Sequence, residues 1–565
     1  MQTGGGGYRN AWIFALLLFV GGCALTWRRT ASFHGDLNRE WTTPARVAAG
    51  ERLYKDVSYF YGPVAPISEA AAFRLFGSRV GTAMGFGLLV SAAALGLMLA
   101  ASRRFLPPIG VAAVAATTIG VFAFAPENGA LVTPYSLAAL MAIGLSWGSL
   151  LLAEAGRATG AGLLSALALL SKVESAPAVA VALLRARGGR MRFLLVAIPV
   201  SVVGYLVAIR GIPLDELIRY GPLKHLAMPP EFRELYLRVS GLHPSLIRRA
   251  LLGTLAGGAL GTGWFLACGG AFATRPGRLV AGLALLLLGF SGSHTLGEPL
   301  FTTAVRGVPA LLLTALVVIA LELRRSEPGS EERRQAAAAL GASLLGIVYL
   351  WRSILWVVPS YPYAPLAAFS ALPGIVYLAV VASARAVSEE RRGVAVLVLT
   401  LPLLFAPLFM LPRLIEFYRS QRTAIVAPRG TWIPPDPDGE RFASLVARLQ
   451  QTGVHDRSLV VLPEGSALNF LLGVRSPLRL EQVLPGHLDD VADQDAVRSL
   501  ERTRPERIVW IPRPTFEYGS PRFGIDYARR LAALIKTDYV EEARLPSEPG
   551  SAPSPPEDAV IYVRR

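Results

Sequence analysis

The sequence predicts an all-α polytopic membrane bundle of about 13 transmembrane helices with a small C-terminal α/β domain outside the membrane. Three observations carry that prediction. Of 565 residues, 53% are apolar and only 17% charged, with a mean hydropathy of +0.45; soluble chains carry about a quarter charged residues. Apolar runs recur from residue 11 to residue 411, each of about 17 to 25 residues and able to cross roughly 30 Å of hydrocarbon as a helix. Beyond residue 411 the composition turns polar, so 1–411 reads as the membrane domain and 412–565 as the outer domain.

Spans are expected at 11–27, 80–101, 108–125, 132–153, 158–171, 174–186, 193–209, 250–272, 279–293, 304–323, 336–351, 364–384 and 393–411. The fifth and sixth are short enough to form a helical hairpin buried in the bundle. With the N-terminus in the cytoplasm, Arg103, Arg104, Arg157, Arg185, Arg187, Arg190, Arg192, Arg275, Arg278, Arg324, Arg325 and Arg385 fall in inner loops. The connections at 125–132 and 293–303 carry no Lys or Arg. Arg28 and Arg29 run against the rule and are outvoted. This orientation puts three features outside: a first loop at about 28–79, the stretch 210–249, and the tail. In the tail, strands are expected at 458–465, 507–512 and 559–563, with a helix at 527–536.

The net charge of +16 is explained by the arginines of short loops. No basic run interleaves with aromatics, so no nucleic-acid partner is expected. Cys23 and Cys268 both lie in apolar runs, which excludes a disulfide framework and a thiolate metal site. No P-loop or G-x-G-x-x-G occurs between a strand and a helix, so no nucleotide site is expected.

Charge concentrates in "HGDLNREW" at 34–41. If this stretch is helical, Asp36 and Glu40 lie one turn apart on one face. They could serve as acid/base groups or metal ligands at the bilayer surface; an interfacial amphipathic segment with solvated charges accounts for them as well. "YKDVSYFYGP" follows, with aromatics suited to the headgroup region and a turn at Gly62-Pro63. In "SKVES", Lys172 and Glu174 stand between two apolar runs; a buried charge there is either functional or an ion pair closing a tight turn. His294 and Glu298 are four apart and make at most half a metal site, so structural contacts are the favoured reading.

The order of an apolar span, "HGDLNREW" and then "AGERLYKDVSYFYGPVAPISEAAAFRLFG" resembles the GT-C superfamily of polytopic glycosyltransferases. The nearest branch looks like the bacterial enzymes grouped with protein O-mannosyltransferases and lipid A aminoarabinose transferases. Gly50, Tyr54, Asp56, Tyr61, Gly62, Pro63, Phe76 and Gly77 stand at the pattern's positions, and "LLSKVES", "WRSILWVVPSYPY", "LPEGSALNFLLGVRSPLR" and "FGIDYARRL" look similar to later pieces.

The resemblance implies a multi-pass protein of a bacterial inner membrane with its tail in the periplasm. It implies a sugar carried on polyprenyl phosphate and transferred, with inversion, to a hydroxyl of a glycan, lipid or protein acceptor. By residue matching, Asp36 would be the general base, with Glu40 as its partner. Arg352, Lys224, Arg306 and Lys172, in that order, are the candidate donors to the lipid phosphate. His34, Arg39, Tyr54, Asp56, Tyr59, Tyr61 and Glu127 are candidates for the acceptor and donor loops. The sequence departs from the pattern at "APENGALVTPYS", where relatives often have a second acidic residue and this chain offers Glu127 and Asn128. A divalent cation therefore stays an open expectation, with His294 and Glu298 as weak candidate ligands. Two other readings remain open: a transporter or flippase for a lipid-linked sugar, and an assembly protein that binds a partner through its tail.

Overall fold

In the computed structural model, residues 5–29, 35–125, 131–132, 136–358, 364–385, 387–434, 439–453, 458–546 and 558–565 are described. The architecture is a helical membrane bundle carrying a small α/β tail. Among the described residues, nine helices are long and apolar enough to cross a membrane, or ten if the bent pair Leu300–Arg306 and Val308–Arg325 counts as one span. The other expected spans are also helical but shorter: Pro108–Ala123, Ala158–Ser171 and Ala176–Arg185. At about 1.5 Å per residue, a ten-residue helix reaches only about 15 Å, half of a hydrocarbon core. The last two form the short pair read from the sequence, joined by a single turn at Val173–Ser175.

The bundle core is built largely of Ala, Leu and Gly. Small residues let backbones approach closely where no hydrophobic force drives helices together in lipid. Gly257 and Gly307 show this directly: a Cβ at either would strike the backbone of the other. The last helix runs Glu389–Ser420, past 411, and Arg29 Nη1 donates to its Tyr418 carbonyl at 2.7 Å. One of the two arginines that run against the loop-charge rule thus serves a helix end.

The connection between the first two long apolar helices contains two shorter helices, Leu37–Ala48 and Val64–Phe76. The tail contains a hairpin, β1 (Ile425–Ala427) with β2 (Gly430–Trp432). Its main sheet comprises β3 (Leu459–Pro463), β4 (Arg507–Ile511), β5 (Tyr539–Leu545) and β6 (Ala559–Arg564), in the order β3-β4-β6-β5. β3 and β4 are parallel, and every residue of β3 is buried. A parallel strand covered on both faces needs such a run of unbroken apolar residues.

The loop and the tail share one core. Trp41 packs edge-on against Trp432, with ring centroids 5.4 Å apart, and at 5.4 Å from Phe470. Beside this core Arg46 is buried and donates to Glu481 at 2.5 Å, to Glu51 at 2.6 Å, to the Leu478 carbonyl at 2.8 Å and to the Asp56 carbonyl at 2.9 Å. Removing one member of a buried pair leaves its partner's charge desolvated and uncompensated. Arg46→Met should therefore cost about 3–5 kcal/mol and make the tail more susceptible to limited proteolysis in detergent. Arg46→Met with Glu481→Leu should recover much of the loss; wild-type melting of the single variant would contradict the network's role.

Candidate functional site

The Leu37–Ala48 helix begins just after Asp36. Its first turn places Arg39 in contact with two carboxylates: Nη2 lies 3.3 Å from Asp36 Oδ2 and 3.0 Å from Glu40 Oε1. Arg39 lies over the rings of Tyr61 and Tyr59, at 5.0 and 5.7 Å, and the Tyr59 hydroxyl donates to Glu40 at 3.4 Å. Burial disfavours the Arg39 charge, but Asp36 and Glu40 outweigh it and hold the guanidinium above its usual range. Burial pushes the Glu40 carboxyl upward, against the pull of Arg39. The side chain of Glu40 is 5% exposed and that of Asp36 is 22% exposed, so Asp36 is the carboxylate a substrate can reach.

The Lys172 connector closes the other side. Lys172 Nζ sits 4.2 Å from the Tyr61 ring centroid and 3.6 Å from Glu174 Oε2. Arg352, from the turn Trp351–Ser353, also pairs with Glu174 and lies 5.4 Å from the Tyr236 ring. Burial, reinforced by the nearby Arg352, lowers the Lys172 amine from its ordinary value to about 7. From the 210–249 stretch, His225 stacks on Tyr61 at 6.0 Å, and its Nδ1 is 3.2 Å from the Tyr236 hydroxyl. Burial and then Arg352 bring its pKa down to about 4, so the imidazole is neutral at physiological pH.

The tail supplies a ceiling. Its "LPEGSA" turn docks on the first turn of the Leu37–Ala48 helix: the Ala467 N–H donates to Asn38 Oδ1 at 2.9 Å, and the Thr42 hydroxyl to the Ser466 carbonyl at 3.1 Å. The turn's Glu464 is fully buried, 2.6 Å from Arg513 Nε and accepting from Gln482 Nε2 at 2.6 Å. Burial raises the Glu464 carboxyl against Arg513, and Asp36 pushes it the same way. His487 packs edge-on to Phe60 at 4.8 Å and to Phe232 at 5.2 Å.

Of the residues singled out from sequence, the structure thus brings Asp36, Arg39, Glu40, Tyr59, Tyr61, Lys172 and Arg352 together. Tyr54 and Asp56 instead form a local turn: Asp56 Oδ2 accepts from the Arg52 N–H at 2.8 Å, and Tyr54, at φ +68°, donates its hydroxyl to the Tyr61 carbonyl at 2.7 Å. Lys224 is buried, and that burial lowers its amine below the usual lysine range against the opposing pull of Asp489. Arg306 donates to Glu298 at 2.7 Å and lies 4.3 Å from the Trp356 ring. Glu298 also pairs with Arg249 at 3.0 Å, while His294 packs on Phe290 at 4.6 Å. Glu298 is thus occupied by two guanidinium groups rather than paired with His294. Among the described residues no group of three or more His, Cys, Asp and Glu could hold a metal ion. His34 and Glu127 lie outside the described residues. Glu174, read from sequence beside Lys172 as functional or as its ion-pair partner, pairs with both Lys172 and Arg352. Sequence reasoning left out Tyr236 and Arg513 and gave Glu464 no role; "LPEG" was visible, but no local partner marked its acid.

No protein-family model and no curated protein matches the chain. Solved structures resemble it at low identity. The oligosaccharyltransferase of Archaeoglobus fulgidus in its apo form is 14% identical, over 88% of this chain and 69% of that one, with a TM-score of 0.47. ArnT from Cupriavidus metallidurans bound to undecaprenyl phosphate is 12% identical, over 97% of each chain, with a TM-score of 0.43. The archaeal oligosaccharyltransferase AglB from Archaeoglobus fulgidus, in complex with an inhibitory peptide and a dolichol-phosphate, is 12% identical over 96% of this chain and 73% of that one, at 0.47.

The Gly62 N–H donates to the Ser171 carbonyl at 3.1 Å and ties the Tyr-Gly-Pro turn to the Lys172 connector. A Cβ there would overlap the Leu170 carbonyl, so backbone must move. Gly62→Ala should cost about 1–3 kcal/mol in thermal unfolding. An unchanged melting temperature would mean that the turn and the connector do not depend on this close approach.

Proposed function

We propose that the chain transfers a sugar from a polyprenyl-phosphate carrier to an acceptor hydroxyl at the outer face of a bacterial inner membrane, with inversion and with Asp36 as general base. The observation that carries this reading is one reachable carboxylate, Asp36, one guanidinium away from a cluster holding Arg39, Lys172 and Arg352. A base and a phosphate clamp are the two parts such a transfer needs. Asp36 takes the acceptor's hydroxyl proton as that oxygen attacks the anomeric carbon. The bond from the anomeric carbon to the phosphate oxygen breaks on the opposite side, and its electron pair leaves with the lipid phosphate. Arg39, Lys172 and Arg352 stabilise the charge that grows there.

The clamp is balanced by Asp36, Glu40 and Glu174, so an arriving phosphate must be accommodated by protons. Lys172, with a pKa of about 7, can take one up, and Glu40 is raised toward its protonated form. An apolar cavity of about 490 Å³, lined by Phe122, Trp264, Phe265, Phe301, Leu372 and Phe409 among others, would suit an isoprenoid chain within the bundle. The acceptor, a glycan, lipid or protein, must bring its hydroxyl to Asp36 beneath the tail.

Purified protein in nanodiscs, given a panel of polyprenyl-phosphate sugars and a membrane extract, should move sugar from carrier to acceptor. Asp36→Asn should reduce the rate by about 10²–10⁴ with carrier binding retained. A folded Asp36→Asn protein at full rate would remove Asp36 from the role of base. Donor affinity should also weaken as pH rises through about 7, because the charged fraction of Lys172 falls there. Lys172→Arg, which keeps its charge, should flatten that profile; an identical profile in the variant would assign the titration elsewhere.

A further inference from the structure

A second pocket lies on the same side of the molecule, between the first outer loop, the Leu214–Tyr220 helix and the tail. Its volume is about 450 Å³. Six cationic side chains line it, Arg46, Lys55, Arg475, Arg479, Arg498 and Arg502, against three carboxylates, Asp56, Glu216 and Asp495. Four of the six cations come from the tail, where no membrane-topology rule asks for positive charge.

The cations are held in different ways. Arg46 is consumed by its buried network. Arg475 pairs with Glu51 at 2.8 Å but keeps a side chain 70% exposed. Arg498 pairs with Asp495, which also accepts from the Tyr220 hydroxyl at 2.7 Å. Arg479 lies over the Tyr220 ring at 4.0 Å, pairs with Glu216 at 2.8 Å and donates to the Tyr54 carbonyl, while its buried Nε has no partner among the described residues. Lys55 and Arg502 are exposed and form no ion pair among the described residues. A guanidinium fixed on an aromatic ring, with further cations around an open cavity, is the arrangement that receives carboxylate or phosphate oxygens.

We infer that this pocket binds an oxyanion-bearing saccharide, its carboxylate or phosphate held by Arg479, Arg502 and Lys55. On the proposed reading of the catalytic site, on which this assignment of its role rests, the saccharide is an anionic segment of the acceptor. The pocket and the Asp36 site share the first outer loop, since the Asp56 turn lines the one and Tyr59 and Tyr61 line the other. An acceptor anchored in the pocket would thus be held by the same loop that positions the catalytic helix.

Binding of glucuronate, glucose 6-phosphate and neutral glucose to the full-length protein in nanodiscs, measured by calorimetry without donor, tests the inference. At least one of the two anions should bind and glucose should not; which anion binds names the oxyanion. Lys55→Gln with Arg502→Gln, both exposed positions, should melt like wild type yet bind the anion about tenfold or more weakly. Binding of glucose equal to that of the anions, no binding of either anion, or unchanged affinity in the double variant would overturn the assignment. Because no donor is present, failure of sugar transfer would leave this result standing, and active transfer without anion binding would overturn the pocket alone.

Discussion

Arg39 is the residue on which the site's arrangement depends. A guanidinium at 4% exposure is tolerable only if its surroundings return what desolvation takes away. Asp36 and Glu40 do so from the same helical turn, and Tyr59 and Tyr61 do so through their ring faces. Those demands fix the first outer loop: the helix must start at Asp36, and the chain must return through Tyr-Phe-Tyr-Gly-Pro to lay two tyrosines against it. Tyr61 then shares its ring with Lys172 and stacks with His225, which brings two further segments to the same place.

The tail belongs to this construction rather than hanging from it. Trp41, on the Leu37–Ala48 helix, is embedded among tail aromatics, and Asn38 and Thr42 bond to the "LPEGSA" backbone. Arg46, two turns on from Asn38, is neutralised from both sides of the junction. Polar contacts thus run along one helix from Asp36 to Arg46, with the tail as partner for much of its length. A change of substrate contact in the tail would be felt at the helix that carries Asp36, and a tail acting only as a detached binding module does not account for these contacts.

Much of the fold was legible because its signals are local. Runs of apolar residues placed each membrane segment, and even the shortness of 158–171 and 174–186 was readable from the charged "SKVES" between them. The tail's "SLVVLP", "RIVWIP" and "AVIYV" declared strands by their Val and Ile content. The site was legible where four-residue spacing sufficed, as for Asp36 and Glu40. Lys172 was marked by the cost of its burial, and Arg352 by resemblance alone. Arg306 was a candidate donor to the lipid phosphate, but its Nη2 is engaged by Glu298 in a pairing that the sequence does not reveal. Glu464 and Arg513 carry no such signal: more than 400 residues separate Glu464 from the helix it meets, and nothing periodic joins them.

On the proposed function, the cations beside Asp36 receive the phosphate of a lipid carrier. An experimental density map of the protein in nanodiscs with polyprenyl phosphate bound tests this most directly. Phosphate density is expected within hydrogen-bond reach of Arg39, Lys172 or Arg352, with the isoprenoid chain entering the apolar cavity of the bundle. Phosphate density at Arg306 or Lys224 instead, with the Asp36 cluster unchanged, would contradict it.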